Sequence, residues 1–265
     1  MKNKNEYFTL ITGASSGIGK AMSEEFARRQ RNLILVALPD TGLGNQCDSL
    51  GVKYNISSYF LEIDFRNPDA PQIVYRFIHE KNLNINVLIN NIGVGHAGMI
   101  GNFPVDEINE MIMLNIYTTT HLTNLLLNNL KSCPESYILN MGSLGAYVPT
   151  PYKSIYMASK AFIYYFTAGL SSELEHSSVK VCVAMPGSVP SNKKMVERIK
   201  KDGALSGLMS LSPAEVANYI IPRLLSGEKV IIPGRITYAI YLLGLILPYG
   251  AVLYFMKKIF LGKKY

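Results

Sequence analysis

The sequence predicts an α/β fold: a doubly wound parallel sheet of about seven strands, helices on both faces, and an apolar helical C-terminal extension. Three observations carry that prediction. Short apolar runs alternate with amphipathic stretches along the chain. The runs are continuously apolar, as strands covered on both faces are, not alternating. The stretches between them repeat apolar residues at helical spacing. Alternation of this kind argues for right-handed βαβ units in one open sheet.

Tyr7–Ile11, Leu33–Ala37, Tyr59–Ile63, Val87–Ile89, Tyr137–Met141, Val181–Met185 and Val230–Ile232 read as the strands. Ile18, Ala21, Met22 and Phe26 have the i, i+3, i+4, i+8 spacing of a buried helix face. Ile73, Phe77 and Ile78 give a second helix, and Ile112, Ile116 and the leucines after them a third. Ser212-Pro213-Ala214-Glu215 is a helix start, with a capping serine, a proline at the first helical position and a glutamate to close a capping box. No repeat, low-complexity tract or linker interrupts the pattern, so 1–234 reads as one domain and 235–265 as its apolar and basic extension.

Composition narrows the function classes. The 265 residues are 48% hydrophobic and 17% charged, enough to bury a large core. Cys47, Cys133 and Cys182 are scattered and odd in number, which implies neither a disulfide framework nor a metal cluster, and favours a reducing, cytoplasmic setting. His79, His96, His121 and His176 lack metal-ligand spacing; His96 is placed to border a pocket. The polar Met1–Glu6 segment leads into an apolar run too short for an export signal. The net charge of +7 concentrates at Lys193, Lys194, Arg198, Lys200, Lys201 and at Lys257, Lys258, Lys263, Lys264. It lacks the aromatic interleaving of single-strand nucleic-acid binders, so no nucleic-acid partner is expected.

Two stretches carry chemistry. Thr12-Gly13-Ala14-Ser15-Ser16-Gly17-Ile18-Gly19 joins the first strand to the first helix. Its glycines allow a tight turn and close backbone approach to a pyrophosphate, and the helix N-terminus offers N–H donors and partial positive charge. Between strand and helix, this turn favours dinucleotide binding. Tyr156-Met157-Ala158-Ser159-Lys160 places a phenol and an ammonium one turn apart on one helix face. A free tyrosine has a pKa of roughly 10, and a nearby cation lowers it toward use as a proton donor and acceptor. Taken alone, the spacing is also that of an aromatic ring packed on a lysine stem, the commoner case.

Read together, these motifs resemble those of the short-chain dehydrogenase/reductase family over nearly the whole chain. Thr12–Gly19 matches Thr-Gly-x-x-x-Gly-x-Gly, and Asn90-Asn91-Ile92-Gly93 matches Asn-Asn-Ala-Gly with isoleucine for alanine. Asp64 matches the acidic residue that contacts adenine, and Asn115, Ser143, Tyr156 and Lys160 match the catalytic tetrad. Pro186-Gly187 follows the sixth strand, and Ser191 stands where the family often has threonine against the nicotinamide amide.

The resemblance implies a single Rossmann-like domain and an NAD(P)-dependent oxidoreductase interconverting a carbonyl and an alcohol. It makes Tyr156 the general acid/base, Lys160 the binder of the nicotinamide ribose and tuner of Tyr156, Ser143 the holder of the substrate oxygen, and Asn115 the anchor of a relay water. The expected dinucleotide contacts are Gly13, Ser15, Ser16, Gly17, Ile18, Gly19, Asp64, Asn90, Gly93, Tyr156, Lys160, Pro186, Gly187 and Ser191. Ala37 lacks the carboxylate of NAD-type relatives, and Leu38 replaces the arginine of many NADP-type ones. The reading leans to NADP, with Asp40 able to reverse it toward NAD. A loop at 187–211, with Met195, Leu205, Leu208 and Met209, implies an apolar pocket joined by Tyr147, Tyr152 and Met185. A steroid-, acyl- or retinoid-like substrate would suit it.

The family also implies a homodimer or homotetramer. Ile236–Met256 contains no charged residue but is broken by Pro248-Tyr249-Gly250. It can close the pocket and pack in a dimer, lie at a membrane interface, or span the membrane, in that order of expectation. A catalytically idle dinucleotide-binding sensor or scaffold is the competing reading of the chain.

Overall fold

The computed structural model describes residues 6–148, 150–191, 195–197, 207 and 210–260. Strands β1 (Tyr7–Thr12), β2 (Asn32–Ala37), β3 (Ser58–Glu62), β4 (Asn84–Asn90), β5 (Ser136–Met141), β6 (Val179–Ala184) and β7 (Val230–Ile231) form one sheet. Its order is β3-β2-β1-β4-β5-β6-β7, and all of its pairings are parallel. Crossover helices are α1 (Gly17–Arg28), α2 (Leu43–Tyr54), α3 (Ala70–Glu80), α4 (Val105–Ile112), α5 (Thr118–Lys131), α6 (Ser154–Glu173) and α7 (Pro213–Leu225). Every predicted strand is present, with its ends displaced by at most three residues.

The strand order reverses beside β1, where the chain leaves toward β2 on one side and β4 on the other. Ligands of open α/β sheets bind in the crevice at such a point. Two apolar layers flank the sheet. On one face α1, α2 and α7 bury Met22, Phe26, Leu43, Ile220 and Leu224. On the other α3, α5 and α6 bury Val74, Ile78, Leu122, Leu126 and Leu170. Double coverage explains why the central strands β1, β2, β4 and β5 read as unbroken apolar runs.

The structure corrects two local expectations. β3 is an edge strand, not a fully covered one, and Phe60 is 43% exposed on it. The third helix is not one regular helix: α4 passes through a π-helical segment, Met113–Tyr117, before α5 begins. The extra residue in that turn rotates the apolar stripe. Ile112 is left 46% exposed while Leu114 and Asn115 turn inward. The cap at Ser212 forms as predicted, with Ser212 Oγ accepting from Glu215 N and the Glu215 carboxylate accepting from Ser212 N.

Beyond β7 the chain forms α8 (Arg235–Ile246) and α9 (Tyr249–Phe260), separated at Leu247 and Pro248. Proline carries no N–H to continue α8 and biases the residue before it toward extended backbone, and Leu247 has ψ 137°. The break divides a long apolar segment into two short helices. Among the described residues, no helix is long and apolar enough to cross a membrane.

Candidate active site

The glycine turn sits where β1 meets α1, at the carboxyl end of the sheet. Gly13 and Gly17 have φ of +65° and +52°, a region that disfavours a Cβ. Gly19 is held for a different reason: a Cβ there would lie 2.1 Å from the Gly13 carbonyl oxygen. Ser16 caps α1 without a side-chain hydrogen bond, and the first turn has no acidic residue. The first turn of α1 therefore has no side-chain cap, the kind of helix start that suits an anion.

Residues outside the predicted contact set hold this turn. Asn91 Nδ2 donates to the carbonyls of Thr12 at 2.9 Å and Gly13 at 3.3 Å. Thr12 Oγ1 donates to Ile89 O and accepts from the N–H groups of Asn91 and Ile92. Gln46 reaches from α2 to donate to Ala14 O at 2.9 Å. The resemblance implies a dinucleotide contact at Asn90. Its side chain points the other way and is buried, donating to Thr123 Oγ1 and Asn140 Oδ1. Successive side chains on a strand face opposite sides of the sheet, so one member of an Asn-Asn pair must turn from the crevice.

Around this turn lie most of the other expected contacts. Ser191 packs on it, since a Cβ at Gly17 would meet Ser191 Cβ at 2.7 Å. Pro186 and Gly187 follow β6, and the Pro186 carbonyl accepts from Leu144 N beside Ser143. Ser15 and Ile18 are half-buried and Ser16 is exposed along the same turn. Asp64 follows β3 with its carboxylate gripped by the Arg66 guanidinium, which holds its pKa below the ordinary carboxylate value. Its side chain is thus already partnered by Arg66. Ala37 is buried at the end of β2, and Leu38 and Asp40 are exposed beyond it.

The tetrad residues come from three elements. Ser143 follows β5 and its Oγ accepts from Gly145 N at 3.2 Å. Tyr156 and Lys160 share a face of α6, with Lys160 Nζ 5.9 Å from the centre of the Tyr156 ring. Lys160 is buried, and its ammonium donates to Met141 O at 2.8 Å. Asn115, turned inward by the π segment, accepts from Val94 N at 2.8 Å and donates to Val94 O and Ser159 Oγ, each at 2.9 Å. Ser159 Oγ in turn donates to the Tyr156 carbonyl. Ser159 is thus a further positioning residue, adjacent to Lys160 in the motif but without a signal of its own.

Gly93 closes the constellation. A Cβ there would stand 2.9 Å from Asn115 Oδ1 and 3.3 Å from Lys160 Nζ, so the space between these two groups exists only because residue 93 has no side chain. Gly95 leaves similar room beside the Tyr156 ring.

The expected pocket residues divide. Met185 is fully buried against Ile163, Val183 and Ile232, so it belongs to the core. Tyr147 stacks edge-on against Tyr164 and Tyr241, which brings α8 against the segment after Ser143. Burial pushes the Tyr147 hydroxyl up from its usual value. Tyr152 adopts φ +65° and its carbonyl accepts from Gly98 N. Met195 is half-buried, whereas Leu205, Leu208 and Met209 lie outside the described residues, as do Lys193, Lys194, Arg198, Lys200, Lys201, Lys263 and Lys264. His96 borders α4, where its ring nitrogens face Glu110 at 2.9 Å and Glu107 at 3.4 Å.

Desolvation lowers the Lys160 pKa to about 8, so the ammonium remains mainly protonated at neutral pH. Its folded pKa lies below the unfolded value of 10.5. Between these values the unfolded chain binds the extra proton, so this group makes stability rise from pH 8 to pH 10.5. Burial has the opposite effect on the Cys182 thiol, pushed from 9.0 up to about 12, which lowers stability above pH 9.0. The lysine contribution is therefore read by difference. Lys160→Met should be more stable than wild type at pH 7, by an amount on the order of 3 kcal/mol less the cost of the orphaned Met141 carbonyl. That advantage should shrink as pH rises to 10.5. Urea melts across this range check it, and a constant difference would show that Lys160 is not buried as an ammonium.

Residues 8–202 match the family described as short chain dehydrogenase. Over 182 residues the chain is 36% identical to a very-long-chain 3-oxoacyl-CoA reductase of Phaeosphaeria nodorum, covering 66% of this chain and 53% of that protein. The chain thus spans about half the length of the curated relatives it matches. A short-chain dehydrogenase from Sphingobium yanoikuyae, solved in complex with NADPH, superposes with a TM-score of 0.79 at 27% identity, covering 98% of each chain. A 7beta-hydroxysteroid dehydrogenase has the same fold, with a TM-score of 0.84 at 21% identity over 96% of this chain and 97% of that one.

Proposed function

The chain belongs to the short-chain dehydrogenase family, and on that premise we propose that it is an NAD(P)-dependent oxidoreductase interconverting a carbonyl and an alcohol on a small hydrophobic substrate. One observation carries the reading most directly. A buried ammonium, Lys160, shares a helix face with Tyr156 and is separated from Asn115 only by the gap that Gly93 leaves open. A purely structural lysine would not need that gap.

The residues fit a nicotinamide dinucleotide. The positive-φ glycines at 13 and 17 and the uncapped start of α1 would take its pyrophosphate. Asp64, Gly93, Pro186, Gly187 and Ser191 would meet the rest, with Ser15, Ser16 and Ile18 along the turn. When bound, the dinucleotide supplies or accepts the hydride at the substrate carbon.

The chain's own residues handle the oxygen. Ser143 Oγ donates a hydrogen bond to it, and Tyr156 delivers a proton in reduction and takes it back in oxidation. Lys160 favours the phenolate by its charge and would hold the ribose hydroxyls of the bound dinucleotide. Asn115 has committed both amide donors, and the second lone pair of its Oδ1 can accept from a relay water above Gly93.

The absence of a carboxylate at Ala37 supports NADP over NAD, and the NADPH-bound relative is in keeping with that. The apolar packing after Ser143, where Tyr147 meets Tyr164 and Tyr241, supports an acyl, steroid or retinoid-like ketone. The very-long-chain 3-oxoacyl-CoA reductase relatives favour the acyl class. A cytoplasmic setting, a homodimer or homotetramer, and peripheral membrane contact through 235–265 belong to the same reading; Cys47, Cys133 and Cys182 are buried, as suits a reducing compartment.

A panel of hydrophobic ketones and 3-oxoacyl thioesters with NADPH or NADH tests it by loss of reduced-cofactor absorbance. Turnover with NADPH at a lower KM than with NADH is the expected result. Dinucleotide binding without turnover on any substrate would favour the idle sensor instead.

A further inference from the structure

Eight of the eighteen exposed large hydrophobic residues among those described lie between Tyr238 and Tyr254. On α8 they form one stripe, Tyr238, Leu242, Leu245 and Ile246, with Leu243 beside it, at i, i+4, i+7 and i+8. Ile246 is 79% exposed. The opposite side of α8 is occupied: Thr237 is fully buried and Tyr241 stacks on Tyr147 at 4.9 Å. A soluble helix turns its apolar face inward; α8 carries apolar residues on both sides. A contiguous outward stripe of this kind marks a surface that meets another apolar phase.

Charge identifies that phase. From 235 to 265 the sequence holds Arg235, Lys257, Lys258, Lys263 and Lys264 and no Asp or Glu. Arg235, Lys257 and Lys258 are exposed, and Lys258 Nζ lies 4.8 Å from the Tyr254 ring centre, an ammonium beside an interfacial aromatic. We propose that the outer face of α8 and α9 docks on an anionic lipid surface, with the apolar stripe in the acyl boundary and the cations at the headgroups.

A second copy of the chain fits this face less well. A two-fold interface sets a patch against itself, so the cations would meet their own copies with no carboxylate in the segment to pair them. Neither α8 nor α9 alone is long and apolar enough to span, and Pro248 breaks the run between them. Docking would set the Ser143–Tyr147 segment beside the lipid, because Tyr241 on the inner side of α8 touches it. A hydrophobic substrate would then have a short path from bilayer to site, a consequence that rests on the proposed oxidoreductase reading.

The test is sedimentation of the full chain with vesicles of phosphatidylcholine alone or mixed with phosphatidylserine. Wild type should pellet with the mixed vesicles, less with phosphatidylcholine, and less in high salt. Lys257→Gln with Lys258→Gln should lower partitioning about 30-fold, taking roughly 1 kcal/mol per cation. Leu242→Ser with Ile246→Ser should abolish binding while circular dichroism and thermal melts stay at wild type, since both side chains are exposed. Wild type remaining in the supernatant with both vesicle types would overturn the proposal. So would a serine double variant that binds vesicles as wild type does but has half the solution mass, which would assign the face to a second copy. Sedimentation needs no turnover, so its failure is separable from failure of the enzymatic reading.

Discussion

Tyr156→Phe should lower kcat for ketone reduction by about 10²- to 10⁴-fold while leaving dinucleotide affinity within about twofold of wild type. The ring is the part of Tyr156 that the structure accommodates: Gly95 leaves room for its edge and Lys160 stands one turn away. Phenylalanine preserves that packing and removes only the hydroxyl. The fold should not register the change, because Asn115, Ser159 and the Tyr156 carbonyl are joined through backbone and side chains that the variant keeps. Turnover with saturating dinucleotide, beside a direct binding titration, separates the two effects. A variant that reduces a good substrate at the wild-type rate would remove Tyr156 from the chemistry, leaving Ser143 or a water as the acid.

The sheet was legible because parallel strands buried on both faces are predominantly apolar. Leu33–Ala37 and Tyr137–Met141 announce themselves by composition alone. β3 was legible as a strand but not as an edge, since its place beside β2 is a property of topology and not of residues 58–62. The position of Asn115 was legible only by resemblance. What turns it inward is one extra residue in the α4–α5 passage, and Met113–Tyr117 has no proline, glycine or charge pattern to mark a π turn. The Asn90–Asn91 pair shows the same limit on a strand. Both residues suit a ligand, and only the register of β4 tells which one faces the glycine turn. Asp64 is legible by resemblance as the match to an adenine-contacting acid, and its pairing with Arg66 two residues later suits the Asp-x-Arg spacing. The C-terminal helices were legible as two because Pro248 breaks them, but the doubly apolar character of α8 needed the packing of Tyr241 on Tyr147 to be visible.

Gly19→Ala and Gly169→Ala should move stability in opposite directions although both glycines sit within helices. At an exposed interior position alanine is favoured over glycine by roughly 0.5–1 kcal/mol, because the unfolded glycine loses more freedom. Gly169 on α6 has no atom within 4 Å of where a Cβ would stand, so Gly169→Ala should stabilise by about that amount. At Gly19 the same Cβ would lie 2.1 Å from the Gly13 carbonyl oxygen and 2.6 Å from Asn91 Nδ2. The oxygen is backbone and cannot swing aside, so α1 and the glycine turn must separate by about an ångström, a displacement that overpacked interiors resist at roughly 1–3 kcal/mol. Binding should suffer more than stability. The turn presents its N–H groups in one geometry, and two charge-assisted hydrogen bonds to a phosphate, at about 1.5–3 kcal/mol each, amount to a loss of 10²-fold or more in dinucleotide affinity. Denaturant melts and NADPH titrations of the two variants side by side provide the check. Unaltered binding by Gly19→Ala would mean that the turn is plastic and that the anion is held elsewhere.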